Sequence, residues 1–293
     1  MTVIVGYLAG KAGRSALHLG AEAARTLKTS LSVVTVVPKP WTTPSPARID
    51  AEYAHYADRL AADSAAQARD CIGTIDPQLE VTFHKFAHRS ASGGLVDAVG
   101  ELGAEALVLG SASDGQLGQV VIGSTADRLL HSSPVPLAVS PRGYRGSKTH
   151  GLTRITCAYP GTPGSLQVVE RVTALAARLD VPMRVITFAV RGRTMFPPEV
   201  GLHAEDSILE SWAAQARETL QALRTDGIVG DGVELQVVTG NGWAQALDAA
   251  EWVDGELLAL GTSPQGPIAR VFLGSKGTKI VRHSPVPVLV LPN

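Results

Sequence analysis

Two stretches of this 293-residue chain place glycines and hydroxyls at matching spacing. The first holds Gly110, Ser111 and Ser113, then Gly123, Ser124 and Thr125. The second holds Gly261, Thr262 and Pro264, then Gly274, Ser275 and Lys276. Glycine lets a backbone approach an oxyanion closely and tolerates positive φ. A helix that starts at each Gly-Ser step would present free N–H groups and the positive end of its dipole. A serine or threonine hydroxyl adds one more donor. The chemistry within reach of this set is phosphate binding. The two loops are unequal, because Ser113 keeps a backbone N–H while Pro264 has none and fixes φ near −65°. Lys276 either reaches an anion or stands solvated at a helix start, and the solvated reading is the simpler.

Other chemistries lack their residues. No Gly-x-Ser-x-Gly, His-Glu-x-x-His or Walker A pattern occurs, so hydrolase and P-loop NTPase readings have no support and no turnover is expected. His84 and His88 sit near each other, but Cys71 and Cys157 lie in distant segments and no carboxylates cluster with them. They read as surface histidines, and no metal is expected. His131 and His283 recur before Ser-Pro and suit helix C-termini. Cys157 reads as inert packing in a buried strand. Trp212, Trp243 and Trp252 read as core or interdomain contacts.

The elements behind these loops come in two copies. Ala106-Leu-Val-Leu-Gly110 matches Leu257-Leu-Ala-Leu-Gly261, and the Gly-Ser steps match at the same offset, 151 residues from Gly110 to Gly261. His131-Ser-Ser-Pro-Val-Pro continues the match as His283-Ser-Pro-Val-Pro. The chain is a duplicated unit: domain 1 over residues 1–141, a linker over 142–151, and domain 2 over 152–293. Within each copy, β-branched strands alternate with helices of amphipathic period, which predicts α/β, two tandem doubly wound five-stranded parallel-sheet domains. The proline-rich stretch 38–46 and its counterpart 191–201 read as surface loops near the crevice. Lys and Arg number 26 against 27 Asp and Glu, a balance that gives no reason to expect nucleic acid or an anionic membrane. Two cysteines imply no disulfide framework, and no apolar run approaches 18 residues, so a cytoplasmic protein is expected.

Both copies resemble the universal stress protein family, in its tandem, actinobacterial type, over nearly the whole chain. The resemblance rests on the loop between the fourth strand and the next helix and on the Ser-Pro-Val-Pro entry to the last strand. In ATP-binding members that loop reads Gly-x2-Gly-x9-Gly-Ser/Thr, and Ser113 and Pro264 stand where its second glycine would be. The family also places an Asp after the first strand, where this chain has Leu8 and Pro160. Neither side chain accepts a hydrogen bond, so affinity should fall about tenfold if one net bond of 0.5–1.5 kcal/mol is lost. The resemblance implies ATP or a related adenine nucleotide as ligand, with phosphates at the first loop and the base near Leu8 and Val37, between the ends of the first two strands. It implies a stress-response regulator that acts as a homodimer, with a protein partner the residues do not name. The alternative is an interaction protein whose degenerate loops bind no nucleotide. An adenylate-forming enzyme would need Ser-Gly-Gly-x-Asp-Ser after the first strand, which is absent.

Overall fold

The computed structural model describes residues 2–9, 13–39, 49–112, 116–147, 151–191, 202–264, 271–272 and 274–292. Most of 38–46 and of 191–201 therefore lies outside the described residues. The chain divides into two compact units, Met1–Gly151 and Leu152–Leu291, with the last two residues aside.

The first unit runs β1 (Thr2–Gly6), α1 (Arg14–Leu27), β2 (Ser30–Pro38), α2 (Ile49–Ile75), β3 (Val81–His88), α3 (Ala91–Leu102), β4 (Ala104–Gly110), α4 (Ser124–Ser132) and β5 (Leu137–Ser140). The sheet order is β3-β2-β1-β4-β5, with every neighbouring pair parallel. Parallel strands need crossovers, and right-handed crossovers put α1 with α2 on one face and α3 with α4 on the other. Both faces are thus covered, which is why β1 is a continuous apolar run with Val3, Ile4 and Val5 fully buried. Gly20 lets α1 lie on that run: a Cβ there would come 2.2 Å from Val5 Cγ2.

The second unit repeats the plan: β6 (Arg154–Ala158), α5 (Leu166–Leu179), β7 (Met183–Val190), α6 (Leu202–Thr225), β8 (Glu234–Gly240), α7 (Trp243–Asp248), β9 (Glu256–Gly261), α8 (Gly274–His283) and β12 (Val288–Leu291). Between β9 and α8, β10 (Ser263–Pro264) and β11 (Val271–Phe272) form a two-residue antiparallel ladder. The main sheet order is β12-β9-β6-β7-β8, again all parallel. Among the described residues, no helix is long and apolar enough to cross a membrane.

The copies differ where their strands begin. In the first unit the spaces between strands hold hydroxyls: Thr2 Oγ1 and Ser32 Oγ lie 3.0 Å apart, and Ser32 Oγ and Thr82 Oγ1 3.1 Å apart. In the second unit the same register holds charge. Arg184, 1% exposed, donates to Glu256 Oε1 (2.8 Å), Thr156 Oγ1 (3.0 Å), Gln236 Oε1 (2.8 Å) and the Ala250 carbonyl (2.6 Å). Glu256 also accepts from Thr156 Oγ1, Arg154 Nη2 and the Val253 N–H. Trp252 covers this cluster, its ring centroid 5.2 Å from the Arg184 guanidinium carbon. The tryptophans are thus not all core residues: Trp252 packs on a cation, and Trp212 is 51% exposed on α6.

The stretch expected as a linker is bound to the first unit as far as residue 147. The Gly143 N–H donates to Ser15 Oγ of α1, and Tyr144 and Ser147 donate to the Glu22 carboxylate, also on α1. A buried carboxylate has to be satisfied, and here the downstream chain supplies its donors.

Two measurements check this description. Glu256→Ala leaves Arg184 buried without its counter-charge, so the second unit should lose about 3–5 kcal/mol, read as a lower urea midpoint. Ser32→Ala in the first unit should cost only about 1 kcal/mol. Burial pushes the Cys157 thiol up to about 12, and the half-buried Cys71 thiol is also raised by burial. In the native protein a thiol reagent should therefore modify Cys71 and leave Cys157 until unfolding.

Candidate functional site

Open parallel sheets bind ligands beyond the carboxyl ends of their strands, where the chain reverses its direction of winding. In the first unit this switch lies between β1 and β4, because β2 and β3 extend the sheet one way and β5 the other. The expectation put the base between the ends of the first two strands, whereas the switch itself lies between β1 and β4. Val37 belongs to β2 and is 2% exposed, whereas Leu8, half-buried just past β1, borders the switch. The turn after Leu8 is held by α2: the Ala9 N–H donates to Ser64 Oγ (3.0 Å), and Ser64 donates to the Leu60 carbonyl (2.7 Å). Ser64 is a site-supporting residue that the sequence reading passed over. Its signal was a hydroxyl among the alanines of the stripe of α2 that also buries Ala57 and Ala68.

The loop after β4 is closed by its own bonds. The Ser111 N–H donates to the Ser140 carbonyl (3.1 Å), so the ladder between β4 and β5 continues one residue past Gly110. Ser111 Oγ accepts from the Val121 N–H (2.6 Å), and the Ala112 N–H donates to the Val121 carbonyl (2.9 Å). Ser111 is buried, and its hydroxyl binds the two arms of the loop together. Thr262 behaves in the same way, buried with its N–H on the Leu291 carbonyl (3.2 Å). Both residues were expected to face a phosphate. Both instead extend a sheet ladder, which turns them inward.

What stays open is the start of α4. Gly123 is its N-cap, with φ −80° and ψ 169°, and no side chain caps the helix. The first helical bond is Asp127 N–H to the Gly123 carbonyl (2.8 Å), so the N–H groups of Ser124, Thr125 and Ala126 precede the intrahelical ladder. Ser124 is exposed and Thr125 half-buried. Asp127, exposed in the same turn, complements the dipole and is a charge that any bound anion has to tolerate.

The motif glycines have different causes. A Cβ on Gly261 would lie 2.1 Å from Val168 Cγ2 of α5, so packing demands glycine there. Among the described residues, a Cβ on Gly123 would meet only Ala112, its Cβ at 3.4 Å and its Cα at 4.0 Å, ordinary contacts. No described neighbour requires Gly123 to lack a side chain.

In the second unit, Gly274 and Ser275 begin α8, with Lys276 exposed in its first turn. Pro264 lies in β10, paired with Val271. Pro160, at the position matching Leu8, is exposed. Ser113 lies outside the described residues. The histidines are occupied locally: His84 Nε2 shares a hydrogen bond with Thr82 Oγ1 (2.9 Å), and His88 Nδ1 accepts from the Ser90 N–H (3.0 Å).

Two doubly wound sheets, each with a Gly-Ser helix start beyond its fourth strand, define a tandem α/β protein. The sequence model of the universal stress protein family matches residues 1–141 and again 151–292, and the chain belongs to that family. Universal stress protein Rv2319c of Mycobacterium tuberculosis is 63% identical over 292 residues, covering all of both chains. A putative universal stress protein of Pseudomonas aeruginosa, 13% identical, superposes with a TM-score of 0.60 over 99% of this chain and 92% of its own, which shows the shared fold. A universal stress protein solved in complex with cAMP matches 48% of this chain and 97% of its own, with 21% identity and a TM-score of 0.30.

Stability separates the two kinds of glycine. Gly261→Ala should destabilise the second unit by about 1–3 kcal/mol through overpacking. Gly123→Ser should stabilise the first unit by a few tenths of a kcal/mol, by supplying the missing cap. Thermal unfolding of both variants checks the pair.

Proposed function

We propose that the first unit binds ATP or a related adenine nucleotide, without turnover, and that the protein serves as a nucleotide-responsive regulator in the stress response. The observation that carries this reading is the uncapped start of α4 beyond the switch between β1 and β4, at a glycine that no described neighbour requires. Phosphate oxygens accept from the N–H groups of Ser124, Thr125 and Ala126 and from the exposed Ser124 hydroxyl, while Gly123 leaves room for them. Gly110 ends β4 and starts the loop that presents this helix. Leu8 offers apolar surface and no acceptor, so the adenosine is held by contact and backbone bonds, and discrimination against other nucleotides is weak. In the second unit Pro264 removes an N–H and Gly261 is committed to packing, so Gly274, Ser275 and Lys276 make the poorer site. A cytoplasmic, homodimeric protein is the form in which we expect this activity.

Calorimetric titration with ATP tests the proposal. Gly123→Val, which crowds the helix start with a branched side chain, should abolish binding, and Gly274→Val should matter less. Gly123→Ser should weaken binding about tenfold while the fold gains stability, because the new hydroxyl competes for the same N–H groups. Equal losses from Gly123→Val and Gly274→Val would remove the ranking of the sites. No binding by the unaltered protein would leave the alternative, an interaction protein whose loops hold no nucleotide.

A further inference from the structure

We infer that Glu22 is a positioning residue for the loop that leads to α4, acting through the segment 142–147. This concerns regulation of the site proposed above and rests on that proposal only for its ligand arm. Glu22 lies on α1 with no solvent exposure. Tyr144 Oη donates to its Oε2, and the Ser147 N–H donates to its Oε1 (3.2 Å). A desolvated carboxylate holds its donors firmly, since losing one leaves charge buried and unsatisfied. Both donors come from one short segment, and the same segment reaches the loop. The Gly118 N–H donates to the Arg142 carbonyl (2.8 Å), and the Arg142 N–H donates to the Gln119 carbonyl (3.0 Å). Between these anchors the Gly143 N–H meets Ser15 Oγ (3.0 Å), and Gly143 turns the chain at φ +81°.

Hydrogen bonds joined by short stretches of chain form the path: Glu22 to Tyr144 and Ser147, along the chain to Arg142, from Arg142 to Gly118 and Gln119, then along the chain to Val121, which bonds Ser111 and lies two residues before Gly123. Besides the bond from Ser111 Oγ to the Gln119 carbonyl (3.4 Å), the Arg142 main chain holds residues 118 and 119, so the segment helps to set where that arm of the loop lies. The path is particular to the first unit. Helices α1 and α5 end at left-handed residues, Lys28 and Asp180, and counting six residues back from each pairs Glu22 with Ala174. By linkage, whatever shifts the segment shifts affinity at the start of α4, and a ligand there shifts the segment.

Hydrogen exchange on the full-length protein without ligand tests the path. Glu22→Ala should speed exchange in 142–147 and, together with it, in 116–121 by about tenfold, with β2 and β3 unchanged. Glu22→Gln should restore protection at both, because its amide oxygen still accepts from Ser147 and its NH2 can donate to the phenol oxygen. Should Glu22→Ala not fold, Tyr144→Phe carries the test, with smaller increases in the same two segments. Faster exchange confined to 142–147, or spread evenly through the unit, would overturn the inference. In the ligand arm, ATP affinity should fall in Glu22→Ala and recover in Glu22→Gln. If the unaltered protein binds no ATP, the functional proposal fails while the exchange result still decides the role of Glu22.

Discussion

Parallel strands exchange hydrogen bonds only with neighbours that run the same way, so each crossover has to travel back over one face of the sheet. Both faces of each sheet are therefore buried, and every backbone group along the strands needs a partner inside the fold. Much of the architecture follows from that demand. It makes the middle of β1 apolar, and it brings α1 close enough to β1 that Gly20 has no room for a side chain. It also carries the ladder past Gly110 and Gly261, drawing Ser111 and Thr262 into the interior. Where the ladder stops, the start of α4 leaves its first backbone donors without a side-chain cap among the described residues.

The duplicated units satisfy the demand with different side chains. Where strands begin, the first unit fills the interior with Thr2, Ser32 and Thr82, whose hydroxyls bond one another at little desolvation cost. The second unit fills it with Arg184 and Glu256, an arrangement that is costly unless every donor and acceptor finds a partner. It finds them in Thr156, Gln236, Arg154 and main-chain groups. The strand starts are thus filled by packing and satisfied polar groups, while the strand ends lead into the loops that precede α4 and α8.

At those strand ends the units also diverge. The first unit keeps an uncapped helix behind a loop that is stitched to the segment 142–147. The second places a proline in a short antiparallel ladder in the corresponding loop. An N-cap glycine that the fold would tolerate as another residue gives up helix stability in exchange for open N–H groups. That pattern is expected where a ligand, rather than a side chain, completes the helix start.

Hydrophobic period and internal repetition were enough to establish the two units, their alternating strands and helices, and the position of the Gly-Ser steps. Such features depend on neighbours within a turn or a strand, and local sequence encodes them. The direction of Ser111 and Thr262 was not legible, because it depends on how far β5 and β12 extend alongside β4 and β9. Nor was the true switch between β1 and β4, which depends on strand order, or the burial demand on Gly261, which depends on Val168 from a distant helix. The basic, glycine-containing stretch after β5 has a linker's composition, and only the buried carboxylate of Glu22, more than a hundred residues earlier in the chain, makes it part of the first unit. Composition reports what a segment can do alone, whereas a desolvated charge binds whatever donors the fold brings to it.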